Sequence, residues 1–269
     1  MSDAAAVPGF LATKEYRRFE EFCGACRRQR ERYIGICYGP PGVGKTISAR
    51  HYAKWDLFEG RDPLASGEVV PIEIADCRSL VYTPPVTNTP RAVRSSLHDG
   101  LILLRGLVGR ARSPAHAGGQ ADFTTRCELV IVDEADRLST PSLEELRDFY
   151  DRGETGLVLV GMPGLEKGLA RYPQLYSCVG FAHAFRPLSQ EEARFVLEQH
   201  WQGWGDTIRG NEFADQEAVA AIITITAGNF RLIDRLMAQV RRIKELNRLS
   251  TVTREVVDAA RDCLVIGTV

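Results

Sequence analysis

The sequence predicts an α/β protein: a parallel sheet flanked by helices, followed by a small all-helical domain. Three observations predict it. Short apolar segments alternate with helical patterns up to Pro187. A glycine-rich loop, Gly39 to Thr46, joins one such segment to a helix. Beyond Pro187 only helical patterns follow, with no strand between them. Strands alternating with helices require crossover connections and therefore a parallel sheet.

Along the chain, residues 14–32 mix charges with Tyr16, Phe19, Phe22 and Cys26 at helical spacing. Tyr33 to Tyr38 reads as a short buried strand, Lys45 to Lys54 as helix, and Val69 to Ala75 as the second strand. Tyr82 to Pro90 is expected to be irregular, because Pro84, Pro85 and Pro90 remove backbone donors. A helix over Arg91–Arg112 and a surface loop over Ser113–Gln120 come next. Leu129 to Asp133 is an apolar run ending in acid, as suits a buried parallel strand. Ser142–Arg152 reads as helix, and Leu157–Val160 and Gly180–Phe185 as the last strands. Four helical patterns follow, over 189–203, 215–227, 230–247 and 253–264. Ser189 with Glu192 forms a capping-box pattern and Asn229 is a candidate cap. A boundary near residue 187 separates a core, residues 1–187, from a helical domain, residues 188–269; residues 1–32 form a helical extension of the core.

Composition excludes several classes. With 44% hydrophobic and 26% charged residues in 269, the chain has material for a real core. No run approaches the roughly 18 apolar residues of a membrane helix, and Met1 to Ala6 lacks the pattern of a signal peptide. No membrane partner and a cytoplasmic location are expected. A net charge of −1 argues against a general nucleic-acid glue but allows a local basic stripe. Seven cysteines, an odd count, fit a reducing compartment. Cys23 and Cys26 lack the second Cys/His pair of a structural zinc site and read as ordinary thiols.

Two motifs carry chemistry. Gly39-Pro40-Pro41-Gly42-Val43-Gly44-Lys45-Thr46 matches G-x-x-x-x-G-K-[ST] in full, between strand and helix. Glycines let the backbone curl so that N–H groups face an anion, and the helix N-terminus adds positive potential. Lys45 would reach the β- and γ-phosphates, Thr46 would offer its hydroxyl to Mg²⁺, and Ile47 continues the binding segment. Leu129-Val130-Ile131-Val132-Asp133-Glu134 would deliver Asp133 to the metal and Glu134 to the attacking water as general base. ATP and Mg²⁺ are the expected ligands.

Gly39–Thr46, Leu129–Glu134 and the helical C-terminal region together resemble the AAA+ ATPase superfamily. The resemblance implies a P-loop NTPase core with a helical lid, and subunits that share ATP sites in a ring or helical filament. Gly228-Asn229-Phe230-Arg231 is similar to the sensor 2 pattern, which would bring Arg231 to the γ-phosphate. The strand Leu157–Val160 should end in a polar sensor 1 residue but runs into Gly161-Met162-Pro163, and Met162 cannot orient a water. Arg171 is the candidate finger arginine. Cys178 stands near where relatives carry a second arginine, and it cannot donate like one. Phe10 and Tyr16 precede the first strand, where such proteins hold adenine, so Phe10 to Tyr16 is expected to line that pocket.

The chain also resembles a narrower group, the MuB, TnsC and TniB transposition regulators and their ExeA-like relatives. Phe10 to Phe19, Gly161-Met162-Pro163-Gly164-Leu165 and Phe185-Arg186-Pro187-Leu188-Ser189 carry that similarity. It implies assembly of a homo-oligomer on double-stranded DNA with ATP bound, and recruitment or activation of a transposase, with a target-selection protein as a further partner. In this sequence Arg78, Thr83, Thr87, Asn88, Thr89, Arg91 and Arg94 supply hydroxyls, amides and guanidinium groups suited to phosphate contacts. A solvated helix face is the competing reading of the same residues. The runs Arg27–Arg30 and Arg241–Lys244 fit DNA contacts, subunit contacts or simple solubility. Two other functions remain open: an ATPase acting on a protein partner, and a nucleotide-gated scaffold with little turnover.

Overall fold

The structure, a computed structural model, describes residues 10–29, 33–65, 69–112, 124–153, 155–203 and 213–264. The loop expected over Ser113–Gln120, and Arg30 of the first basic run, lie outside the described residues. The chain divides into two compact units. One comprises Tyr16–Gly39 and Lys45–Phe185; the other joins Arg186–Val269 to Pro40–Gly44 and to the segment ending at Glu15.

In the first unit, strands β1 (Ile34–Tyr38), β2 (Ser79–Tyr82), β3 (Leu129–Val132), β4 (Gly156–Gly161) and β5 (Val179–Ala184) form one sheet. Its order is β2-β3-β4-β1-β5, with every neighbouring pair parallel. The composition of the strands explains this arrangement. Leu129-Val130-Ile131-Val132 and Leu157-Val158-Leu159-Val160 are fully buried, as strands covered on both faces must be. Each such side chain contributes about 1.5–3 kcal/mol on burial. β5 alternates half-buried with exposed residues and takes an edge.

Helix α1 (Lys14–Arg28) precedes β1, and α2 (Lys45–Ala53), α3 (Pro90–Arg112), α4 (Thr140–Arg152), α5 (Leu165–Leu169) and α6 (Pro173–Tyr176) lie in the crossovers. α1 lies tight against β1 because residue 35 is glycine. A Cβ there would stand 2.5 Å from Cys26 Sγ and 2.8 Å from the Phe22 ring. Gly100 serves α3 in the same way, since a Cβ would meet Leu80 at 2.7 Å. Cys23 and Cys26 are buried in this packing; burial pushes Cys26 up to about 12 and Cys23 well above its ordinary value, so neither is a ready thiolate. No group of three or more side chains fit to hold a metal occurs among the described residues.

The second strand is the principal correction. Val69–Ala75 does not pair; it is loop and a short 3₁₀ turn, Ile72–Ile74. Pro71 fixes φ and lacks a donor, Val69 and Ile72 are 85% and 65% exposed, and only Ile74 is buried. The strand forms ten residues later at Ser79-Leu80-Val81-Tyr82, all buried, with register Leu80–Val130 and Val81–Ile131 against β3. α5 and α6, which no sequence pattern marked, are too short to show a periodicity.

The other unit holds α7 (Gln190–Gly203), α8 (Phe213–Thr226), α9 (Phe230–Leu246) and α10 (Arg254–Asp262). Ile233, Leu236, Met237 and Val240 form the buried stripe of α9 and pack with Val196, Leu197, Trp201, Ile222 and Val257. The capping box forms as the sequence predicts: Ser189 N–H donates to Glu192 Oε2 at 3.0 Å and Glu192 N–H to Ser189 Oγ at 3.3 Å. Glu192 also accepts from Glu15 N–H at 3.3 Å. Partial burial alone would raise the Glu192 carboxyl, but hydrogen bonds from Ser189, Glu15 and Lys14 outweigh it and hold the carboxyl below its usual 4.5.

Two outcomes follow from this packing. Gly35→Ala is expected to lower stability by about 1–3 kcal/mol through overpacking, read as a shift in the urea midpoint. The charged form of Glu192 is favoured in the folded state, so its contribution is present above pH 4.5 and is lost as pH falls below that value. Glu192→Gln should cost about 0.5–2 kcal/mol at neutral pH and flatten the pH dependence of melting below pH 4.5 relative to wild type.

Candidate active site

The site begins where β1 ends. Parallel strands expose their carboxyl ends at one sheet edge, where α/β proteins bind ligands. Gly39 N–H donates to Gly161 O at 3.3 Å, and the Lys45 ammonium donates to Gly39 O at 2.6 Å, which ties the two ends of the loop together. Lys45 and Val43 are buried, whereas Thr46 and Ile47 are exposed at the start of α2. Gly42 and Gly44 take left-handed φ of 78° and 107°, conformations that glycine adopts without penalty.

Within the helical unit, the start of α9 grips this loop. Asn229 Nδ2 donates to Pro41 O at 2.9 Å and Arg231 N–H donates to Gly42 O at 2.9 Å. The same Asn229 accepts Leu232 N–H at 3.2 Å, capping α9 as the sequence predicts. In a trans peptide the C=O of one residue and the N–H of the next point to opposite sides. Holding the Pro41 and Gly42 carbonyls at α9 therefore turns the Gly42 and Val43 N–H groups away from it, as an anion cradle needs. Arg231, in the first turn of α9, has an exposed side chain. A Cβ on Gly42 would lie 2.5 Å from Asn229 Oδ1 and 3.0 Å from Arg231 Cβ.

β3 delivers the acidic pair. Asp133 is 3% exposed, and its N–H donates to Tyr82 O at 2.8 Å, continuing the β2–β3 ladder. Its Oδ1 accepts Glu134 N–H at 3.0 Å. A hydroxyl on Thr46 and a carboxylate on Asp133, both next to the carboxyl ends of strands, are the hard oxygen donors that suit Mg²⁺. Glu134 is a non-glycine residue at φ 52°, a conformation costing about 1–3 kcal/mol that recurs at functional sites. Its carboxylate forms an ion pair with Arg137.

At the tip of β4, Met162 is 39% exposed, and the polar group there is Asp136, whose Oδ1 accepts Met162 N–H at 3.0 Å. Arg171 is exposed between α5 and α6, and its N–H bonds to Gly168 O at 3.2 Å. Cys178 is half-buried, its thiol on Gln174 O at 3.6 Å. Phe10 is half-buried, and Tyr16 packs edge-on against His51.

The basic cluster changes in shape. Arg78 precedes β2 while Thr87, Arg91 and Arg94 follow it, so the strand separates Arg78 from the others. The displaced strand is the physical reason, and Arg78 donates to the carbonyls of Ala75 and Cys77 at 3.1 and 2.6 Å. Arg94 forms a two-pronged pair with Glu145 at 2.6 and 2.7 Å, which holds that carboxyl below its usual range. Thr87 and Arg91 are exposed. Asp136 and Arg137 went unnoticed in the sequence, although Arg137 stands three residues after Glu134, a spacing at which side chains meet.

Gly42→Ala is expected to abolish nucleotide binding while the circular dichroism spectrum persists, because the added methyl meets Asn229 and the left-handed φ is strained. Asn229→Ala should cost about 0.5–2 kcal/mol through the lost cap and weaken binding of a fluorescent ATP analogue as well. Unchanged binding in either variant would refute this account of the cradle.

Comparison with known proteins agrees with the geometry. Residues 27–169 match the model of the AAA domain. A potential ATP-binding protein of Staphylococcus aureus is 44% identical over 267 residues, covering 96% of this chain and 97% of that protein. The Mu-like prophage FluMu DNA transposition protein B of Haemophilus influenzae is 27% identical over 219 residues, 76% of this chain and 64% of its own length. The ATP-dependent target DNA activator B of Escherichia phage D108 is 33% identical over 129 residues, 48% of this chain and 34% of its own. Among solved structures, the RuvB Holliday junction branch migration motor of Thermotoga maritima superposes with a TM-score of 0.58 at 16% identity, over 98% of this chain and 73% of that one. The Aeropyrum pernix ORC1 protein in complex with DNA gives 0.59 at 19% identity, over 96% and 66%. Both share the fold, a parallel five-stranded sheet of P-loop type followed by helices. The chain belongs to the AAA domain family, among the AAA+ ATPases.

Proposed function

We propose that this protein is an ATP-dependent regulator of DNA transposition that assembles on target DNA and recruits or activates a transposase. The observation that carries the reading is the similarity to two transposition proteins, one described as an ATP-dependent target DNA activator, over a chain that holds every phosphate-binding residue of the P-loop. Lys45 binds the β- and γ-phosphates, the cradle N–H groups solvate them, and Glu134 takes the proton of the attacking water. Thr46 and Asp133 would hold Mg²⁺, which would supply neutralising charge to the phosphate oxygens. Arg231 contacts the γ-phosphate from α9, and the exposed Arg171 reaches the site of a neighbouring subunit, so the terminal phosphate governs assembly. Phe10 lines the adenine pocket.

Duplex DNA meets the face around Thr87 and Arg91 through phosphate contacts without sequence readout. Arg94 joins them only by leaving Glu145, and Arg78 contributes through the backbone it holds. Many weak contacts add along an oligomer, ring or filament, so a near-neutral subunit suffices. A target-selection protein is a further partner, and the cytoplasm the expected location. No helix among the described residues is long and apolar enough to cross a membrane.

A second reading, a nucleotide-gated scaffold with little turnover, is favoured by Met162 at the tip of β4 and by the pairing of Glu134 with Arg137.

Fluorescence anisotropy with random-sequence duplex DNA, across salt and with ATP, ADP or neither, tests the DNA role. Cooperative, ATP-dependent binding is expected, and Arg91→Ala should reduce the salt slope by about one unit. No binding in any nucleotide state at low salt would remove the DNA role and leave a protein partner. Glu134→Gln should retain ATP and lose hydrolysis; wild type as inert as this variant would establish the scaffold.

A further inference from the structure

The outer face of α1 carries a charge pattern that the nucleotide site does not use. Glu20 and Glu21 stand one turn before Gly24, and Arg27 and Arg28 stand one turn after it. Residues three and four apart share a helix face, so these five form one stripe, acidic at one end and basic at the other. Together with Arg17, Arg18 and the half-buried Tyr52 of α2 they line a groove of about 560 Å³. Glu20, Glu21 and Arg28 are exposed, and Gly24 adds no side chain at the middle of the stripe. Packing within the subunit does not require that glycine. Among the described residues a Cβ there would meet Arg28 Nη1 alone, at 3.4 Å, and that atom is the movable end of a long side chain. Gly35 is different, since its missing Cβ is what lets α1 reach β1. A glycine inside a helix is destabilising relative to alanine, so the gap at residue 24 serves an approach from outside.

We propose that this face of α1 pairs with the same face of a second copy of the chain, antiparallel and about a two-fold axis at Gly24. In such a pair each residue before position 24 faces the residue equally far after it in the other copy. Glu20 meets the partner's Arg28, Glu21 meets the partner's Arg27, and the axis repeats both contacts. The stripe is therefore complementary to itself when reversed, and this selects the occupant. Duplex DNA would meet Glu20 and Glu21 in the groove, and a basic partner would meet Arg27 and Arg28, whereas a second copy satisfies both ends. Glycine at the crossing point lets the two helix axes come as close as packed helices do. Arg27 also pairs with Glu128 at 3.3 Å, so the partner's Glu21 extends an existing pair into a network. The contact is isologous, with one surface used on both subunits. It is thus distinct from a head-to-tail contact that builds a ring or filament, and it joins two such assemblies without needing nucleotide.

The test is sedimentation velocity of the full chain without nucleotide, over a range of protein concentrations and at low and high salt. A reversible dimer that weakens as salt rises is expected, because the paired charges are exposed. Glu20→Arg and Arg28→Glu leave the Arg27–Glu128 pair in place, and each should weaken the dimer about tenfold or more, since the axis doubles every like-charge contact. An equal mixture of the two variants should restore dimerisation to near the wild-type level, because each then supplies the charge that the other lacks. Gly24→Leu should block the close approach, yet in dilute protein it should melt at or above the wild-type temperature, leucine being the better helix former. That combination separates a lost interface from a damaged subunit. A wild-type chain that stays monomeric at every concentration overturns the proposal and leaves the groove to a partner of other chemistry. A dimer that neither charge variant weakens overturns it as well, and places that dimer on another face. Variants that remain monomeric when mixed overturn the charge pairing, and an undiminished dimer in Gly24→Leu overturns the crossing at residue 24.

Discussion

The phosphate cradle depends on the hold that the first turn of α9 has on two carbonyls, those of Pro41 and Gly42. A loop rich in glycine and proline has many conformations and no intrinsic reason to aim its N–H groups in one direction. Asn229 and the Arg231 amide remove that freedom by taking the carbonyls, and peptide planarity then fixes the amides on the other side. Because Asn229 also caps α9 through Leu232 N–H, a single side chain couples the start of a helix to the shape of the loop. The arrangement leaves no space at residue 42, so the glycine there is required twice, for its φ and for its missing Cβ. It also brings the backbone of Arg231, distant in sequence, to the loop.

The sheet makes the complementary contribution. Placing β4 between β1 and β3 puts the Lys45 and Asp133 ends on separate strands at one edge, and the space between them is bordered by the tip of β4. Gly161 ends that strand, and a side chain there would strike Asp136, so Asp136 can sit beside the tip and hold the Met162 amide. The tip of β4 thus carries beside Met162 a carboxylate from the turn after β3.

Much of this was legible in the sequence. The P-loop and the Leu129–Glu134 run are contiguous, and each residue type is dictated by local chemistry, so the motif itself reports the site. The caps of α7 and α9 were legible for the same reason, being interactions across three residues. What was hidden depends on contacts distant in sequence. Asn229 and Pro41 are 188 positions apart, and Arg94 and Glu145 are 51 apart, so nothing near either residue announces its partner. The second strand was misplaced by a different cause. Val69–Ala75 has the apolar content of a strand, but Pro71 interrupts it, whereas Ser79–Tyr82 is only four residues long and begins with a serine. That shift moved Arg78 to the wrong end of the strand and made a basic cluster look larger than it is.

The features that set binding and those that set turnover fall on different residues. On the proposed function, Lys45, Thr46, Asp133 and the Asn229-held loop would provide for phosphate and metal. On the same reading, Met162 at β4 and the pairing of Arg137 with Glu134 bear on the attacking water. In a motor, both sets must be good, since each cycle needs hydrolysis. In a protein whose ATP-bound form is the assembled one, a slow water step prolongs that form without weakening the nucleotide's hold. On the proposed function, an intact cradle beside a paired Glu134 supports a slow switch over a motor driven by rapid turnover.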